Sequence, residues 1–148
     1  MENSNEIILI EDSPSDAELI LRALQSKDLA GGVKVFSDGV EALEYLFSLA
    51  HRKQATGDGS NHLPRVIFLD LKLPKMSGFE VLSQIKQDES TRLIPVVMLT
   101  SSQEESDVVE SYQLGVNSYM DKPMEYDEFS EAVGDLGQYW LCRNKVVY

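Results

Sequence analysis

Four apolar runs in this chain each end on a polar or charged residue. Ile7-Ile8-Leu9-Ile10 runs into Glu11-Asp12, and Val66-Ile67-Phe68-Leu69 runs into Asp70. Val96-Val97-Met98-Leu99 ends on Thr100, and the segment Val116 to Met120 on Asp121-Lys122-Pro123. A fifth extended segment, Val33-Lys34-Val35-Phe36, lies between the first two. Runs that are apolar at every position, without alternation, predict strands covered on both faces, which is the habit of a parallel sheet.

Helical spacing fills the intervals. Ala17, Ile20, Leu21 and Leu24 form one stripe, so a helix is expected over 14–26. Ser13 can cap it, Pro14 suits its first position, and Asp16 falls in the capping-box position. Asp38-Gly39-Val40-Glu41 is a second such start, with Val40, Leu43, Leu46 and Phe47 as the stripe. The polar segment 51–64 has no apolar period and contains Gly57, Gly59 and Pro64, so it reads as a long loop. Strand three is expected over 65–70. After a loop from Leu71 to Ser77, Gly78 opens a helix with Phe79, Val81, Leu82 and Ile85 on one face. Strand four follows Pro95. Helix four is expected from about Gln103 to Gly115, strand five over 116–121, and helix five after Met124, with Phe129, Val133, Leu136 and Trp140 in register. Five strand–helix repeats make the class α/β, doubly wound around a parallel sheet.

Composition narrows the reading. A chain of 148 residues, 43% hydrophobic, carries one core rather than two, so a single domain over 1–148 is expected, with its core in 6–141 and a tail at 142–148. No apolar stretch approaches the ~20 residues of a membrane span. The net charge of −12 disfavours nucleic acid and anionic lipid as partners. The one cysteine, Cys142, precludes an internal disulfide and fits a cytoplasmic setting.

In a doubly wound sheet the ligand site lies beyond the carboxyl ends of the strands. Glu11, Asp12, Asp70, Thr100 and Lys122 all fall there. Clustered carboxylates repel one another until a cation joins them. Oxygen donors partly completed by water suit Mg²⁺ better than zinc. A carboxylate can attack phosphorus, a lysine ammonium can meet phosphoryl oxygens, and a threonine hydroxyl can donate to them. Asp70 is the expected acceptor.

The residues also carry a family resemblance. Leu9-Ile10-Glu11-Asp12-Ser13, Phe68 to Gly78, Met98-Leu99-Thr100-Ser101 and Tyr119-Met120-Asp121-Lys122-Pro123 resemble the receiver domain of two-component response regulators. The spacings from Asp70 to Thr100 and to Lys122 are those of receivers. The resemblance implies the strand order 2-1-3-4-5, Asp70 as phospho-acceptor, and Asp12 as direct metal ligand with Glu11 acting through water. It also implies the Lys72 backbone carbonyl as a third protein ligand, Thr100 and Tyr119 as a switch pair, Lys122 as phosphate contact, and a cis Lys122-Pro123 bond. The partner it implies is a histidine kinase. The stretch Asp70 to Lys75, the long loop and Tyr139-Trp140-Leu141 look most like stand-alone receivers that partner cyanobacterial phytochrome kinases.

Three other readings are weaker. An aspartyl-phosphate phosphatase would need a second acid where Lys72 stands. A flavodoxin-like carrier would need a phosphate cradle where the acidic Glu11 to Asp16 turn stands. A phosphorylation-independent interaction module would not need the full acid set. With no output domain in the sequence, the signal is expected to leave through a surface. A homodimer through the face of helix four, strand five and helix five is expected, with Phe129, Val133 and Trp140 at the contact.

Overall fold

The computed structural model describes residues 6–56 and 63–148. The strands are β1 (Ile7–Ile10), β2 (Val33–Phe36), β3 (Val66–Leu69), β4 (Val96–Thr100) and β5 (Ser118–Asp121). The helices are α1 (Pro14–Gln25), α2 (Gly39–Thr56), α3 (Gly78–Gln87), α4 (Glu105–Gln113) and α5 (Tyr126–Gln138). The strands form one parallel sheet in the order β2-β1-β3-β4-β5.

Side chains alternate across the sheet, and each face takes its own helices. Ile8, Ile10, Ile67, Leu69, Val96 and Met98 pack with Leu43 and Leu46 of α2 and Val81, Leu82 and Ile85 of α3. Ile7, Leu9, Val66, Phe68, Val97 and Leu99 pack with Ile20 and Leu24 of α1 and Phe129 and Val133 of α5. Burial on both faces is what the unbroken apolar runs require.

The helix starts follow from local chemistry. Ser13 Oγ accepts from the Asp16 N–H at 3.2 Å, and Pro14 occupies the first turn of α1. Asp38 Oδ1 accepts from the Glu41 N–H at 2.9 Å, which holds the Asp38 carboxyl below its ordinary range. Ser77 and Glu80 close a reciprocal capping box on α3. Gly115 ends the α4 segment at φ +102°, a backbone that side-chain-bearing residues rarely adopt. Behind it Lys86 Nζ donates to the carbonyls of Arg92 and Ile94 and to Asn117 Oδ1, tying α3 to the entries of β4 and β5.

Two expectations are corrected here. Residues 51–56, read as the start of a loop, extend α2. No glycine or proline interrupts them before Gly57, and the Phe47 and His51 rings stack one turn apart at 6.3 Å. An apolar stripe was therefore too strict a criterion for these last turns. Of the rest of the expected loop, residues 57–62 lie outside the described residues.

The second correction concerns α5. Phe129 (4% exposed) and Val133 (0%) are buried in this chain's own core, so neither is presented to a partner. Their stripe faces α1 and the sheet. Trp140 and Leu141, in a π-helical turn (Tyr139–Arg143) that extends α5, are partly buried on the same cluster. The tail then returns to the amino end of β3. Arg65 donates to the Asn144 carbonyl at 3.1 Å, the Tyr148 hydroxyl donates to the Pro64 carbonyl at 2.6 Å, and the Tyr148 ring packs on the opposite core cluster.

Candidate functional site

The register brings the strand ends level. Ile10 pairs with Leu69, Leu69 with Met98, and Thr100 with Asp121. Two bonds prolong the ladder past the strands: the Asp70 N–H donates to the Ile10 carbonyl at 3.1 Å, and the Glu11 N–H to the Phe36 carbonyl at 2.9 Å. The backbones of the two acids are thus fixed by the sheet. Glu11 and Asp70 are buried, at 3% and 8% exposure, whereas Asp12 is exposed. Carboxylate oxygens of Glu11, Asp12 and Asp70 lie within 4.8 Å of one another.

Lys122 lies against this cluster. Its N–H donates to the Thr100 carbonyl at 2.7 Å, which places the residue beside β4. Its Nζ lies 2.7 Å from Glu11 Oε1, 2.8 Å from Asp16 Oδ2 and 3.5 Å from Asp70 Oδ2. Burial pushes the Glu11 carboxyl up to about 7; the bond from Lys122 pulls it down and the charge of Asp70 adds to the rise. For Lys122, burial opposes the charge, but the bonds to Asp16 and Glu11 and the field of Asp70 outweigh it, and the ammonium is held more firmly than an ordinary lysine's.

Thr100 is fully buried at the end of β4, where its hydroxyl accepts from the Ser102 N–H at 3.3 Å. The half-buried Tyr119 donates its hydroxyl to the Ser102 carbonyl at 3.1 Å. Burial is the main reason its phenol is raised. Ser102 Oγ in turn donates to Asp107 Oδ2 at 2.6 Å, in the first turn of α4. The expected switch pair is thus joined through one loop residue to a helix that buries only Ser111.

The turn after Asp70 is tight. The Gly78 N–H donates to the Leu71 carbonyl at 2.8 Å, and a Cβ on Gly78 would stand 2.3 Å from the Asp70 carbonyl oxygen. Lys72 lies in this turn, two residues past Asp70, with its side chain exposed. Lys75 takes φ +69° there and reaches Asp38 Oδ2 at 3.4 Å. One implication of the resemblance fails: no cis peptide bond occurs among the described residues, Lys122-Pro123 included.

Two residues of the site escaped the sequence reading. Asp16 looks like a capping residue, yet its carboxylate goes to Lys122 while only its N–H serves the cap. The available signal was its place in the first turn of the helix that follows the Glu11-Asp12 strand end. Ser102 carried no signal beyond lying two residues past Thr100.

Chemically, the site offers three convergent carboxylates and a cation-bearing side chain, with neither thiol nor imidazole in the acidic cluster. Such an all-oxygen set fits a hard divalent cation. With a cation bound, the cluster can admit an anionic phosphoryl group, because the added charge offsets mutual repulsion.

The comparisons with known proteins agree. The sequence pattern of the response regulator receiver domain matches residues 7–134. The chain is 40% identical over 139 residues to a probable methanogenesis regulatory protein, FilR2, of Methanothrix harundinacea, covering 94% of this chain and 85% of that protein. It is 37% identical over 136 residues to the response regulator Rcp1 of Synechocystis sp., covering 91% and 88%. The Mn²⁺-bound form of Rcp1 superposes with a TM-score of 0.80 at 34% identity over 96% of this chain and 98% of that one. The phosphorylated cyanobacterial phytochrome response regulator RcpA gives 0.81 at 36%, over 96% and 97%. With the fold, the level strand ends and the acid–lysine cluster already described, these matches show that the chain belongs to the response regulator receiver domain family.

Proposed function

We propose that this chain is a receiver that takes a phosphoryl group from a histidine kinase onto Asp70 and signals through a surface rather than a product. The observation that carries the reading is the buried Asp70 carboxylate at a strand end, with Glu11 and Asp12 within 4.8 Å and the Lys122 ammonium at 3.5 Å. The proposed metal is Mg²⁺, which Asp12, Asp70, Glu11 and the Lys72 carbonyl would hold; when bound it would supply charge neutralisation at the phosphoryl oxygens.

An Asp70 oxygen forms the new P–O bond as the P–N bond of a phosphohistidine breaks, and the imidazole nitrogen leaves with the electron pair. The carboxylate has no proton to lose. Lys122 meets the phosphoryl oxygens as a point charge, and Thr100 donates its hydroxyl. Water attacking phosphorus then breaks the Asp70 O–P bond, releasing inorganic phosphate and a proton and returning the carboxylate; in this reading the chain catalyses its own phosphorylation and dephosphorylation.

The similarity to the cyanobacterial phytochrome response regulator RcpA favours a phytochrome kinase as the phosphodonor. The lone Cys142 favours the cytoplasm, and among the described residues no helix is long and apolar enough to cross a membrane.

Thr100 turning to a phosphoryl oxygen would give up its bond from Ser102 and shift the loop that Tyr119 also holds. The ligand biases two arrangements that the free chain already samples. Beryllofluoride with Mg²⁺ should therefore move amide NMR resonances in β4, β5 and the 101–104 loop. Bound analogue with an unchanged spectrum there would defeat the switch.

The homodimer belongs to the same reading, through the α4-β5-α5 face. Val109, Tyr112, Tyr126 and Tyr139, each near half exposed, offer the apolar surface, with Trp140 beside them. Sedimentation at micromolar concentration should show a dimer that Val109→Glu with Tyr112→Glu dissociates. A monomer at every concentration, phosphorylated or not, would exclude it.

A further inference from the structure

The Lys122 ammonium is not aimed chiefly at Asp70. Its two short contacts are to Glu11 and Asp16, at 2.7 and 2.8 Å, while Asp70 is at 3.5 Å. An ammonium has three N–H donors, and two of them are thus committed before any phosphoryl group arrives. The two holders differ. The Glu11 side chain is 2% exposed and is fixed among the metal-site acids, whereas that of Asp16 is 37% exposed, in the first turn of α1, where Ser13 and Pro14 already make the cap. Water can replace Lys122 at Asp16 at small cost; it cannot readily do so at Glu11. Asp16 lies outside the Glu11, Asp12 and Asp70 set, so this contact is separable from metal binding.

We propose that Asp16 is a positioning residue that holds Lys122 back from the acceptor in the unphosphorylated chain and so slows phosphoryl uptake. The proposal rests on the acceptor reading of Asp70. Closing Lys122 on a phosphoryl oxygen draws Nζ away from the Asp16 carboxylate as the group transfers, and loss of that contact adds to the barrier for uptake. Once the phosphoryl group is in place the contact is already broken, so Asp16 has little leverage on its loss.

The test uses the full chain with acetyl phosphate at saturating Mg²⁺, following uptake and spontaneous loss by intact mass. Asp16→Asn should take up the group about fourfold faster, the worth of a partly exposed ion pair, and lose it within about twofold of the wild-type rate. Asp16→Glu, which keeps the carboxylate, should stay within about twofold of wild type in uptake. Glu18→Gln, which removes a charge from the same helix without touching Lys122, should change neither rate. Asp16→Ala gives a second readout should the amide introduce a new contact.

Uptake that is unchanged or slower in both Asp16→Asn and Asp16→Ala overturns the proposal. So does an Asp16→Glu protein as fast as Asp16→Asn, or an equal acceleration of uptake and loss, which would mark a general charge effect. Wild-type chain that takes up no phosphoryl group overturns the acceptor reading and this proposal together. Labelled wild type with no effect of Asp16 overturns this proposal alone.

Discussion

Asp70→Asn is expected to lower phosphoryl uptake from acetyl phosphate by about a hundredfold or more, because an amide oxygen lacks the charge that makes the carboxylate a nucleophile. The substitution keeps the shape of the side chain and the backbone bond from Asp70 to Ile10, so the fold should persist. Chelation of divalent cations should suppress uptake in the wild-type chain to a similar degree. Three carboxylates within 4.8 Å, opposed by one ammonium, repel a phosphodonor until a cation binds. The same cation should stabilise the fold by ~2.7 kcal/mol at a hundred times its Kd, read as a rise in melting temperature. Asp12→Ala should remove most of that rise. Intact mass with and without chelator decides the first point: undiminished label on Asp70→Asn would move the acceptor elsewhere, and equal label without metal would remove the cation from the chemistry.

Gly78→Ala should have the largest effect on stability of any single methyl group near the site. The new Cβ would stand 2.3 Å from the Asp70 carbonyl oxygen and 2.7 Å from Leu71 Cα. Both neighbours are backbone, so no side chain can swing away, and either the turn opens or α3 shifts. The expected cost is about 3 kcal/mol, at the upper end of overpacking penalties. It should appear as a lower urea midpoint with an unchanged slope. Because the atom met first belongs to Asp70 itself, uptake of the phosphoryl group should slow as well. A wild-type midpoint would show that the turn has slack.

Some of the molecule could be read without coordinates. Unbroken apolar runs require cover on both faces, and helix-length gaps between them leave little choice but a parallel sheet with helices on each side. Strand ends are local events, so the acids at 11, 12 and 70, Thr100 and Lys122 could be assigned to one edge before their distances were known. The geometry brings Glu11, Asp12, Asp70 and Lys122 together and puts Thr100 and Tyr119 on a shared loop residue.

Other features depended on which surfaces meet. Phe129 and Val133 form an apolar stripe whichever partner covers it; only the packing of α5 on α1 and the sheet shows that the chain covers it itself. The aromatic tail was equally ambiguous, and its return to Pro64 and Arg65 joins residues far apart in sequence. Residues 51–56 carry no apolar stripe, yet with no glycine or proline among them and a ring stack of Phe47 on His51, α2 extends through them.

Asp16 is the clearest case. Its sequence position gives its backbone a role in a cap, and the cap is there, 3.2 Å from Ser13. Its carboxylate answers to a lysine that the chain reaches only after four more strands. The sequence by itself determined the elements, their class and which residue types stand at the strand ends, because those are set by period and local propensity. Tertiary structure alone decided which acid holds Lys122, where the switch residues are tied, and which apolar faces remain open, because these are contacts between segments whose separation in space no local pattern encodes.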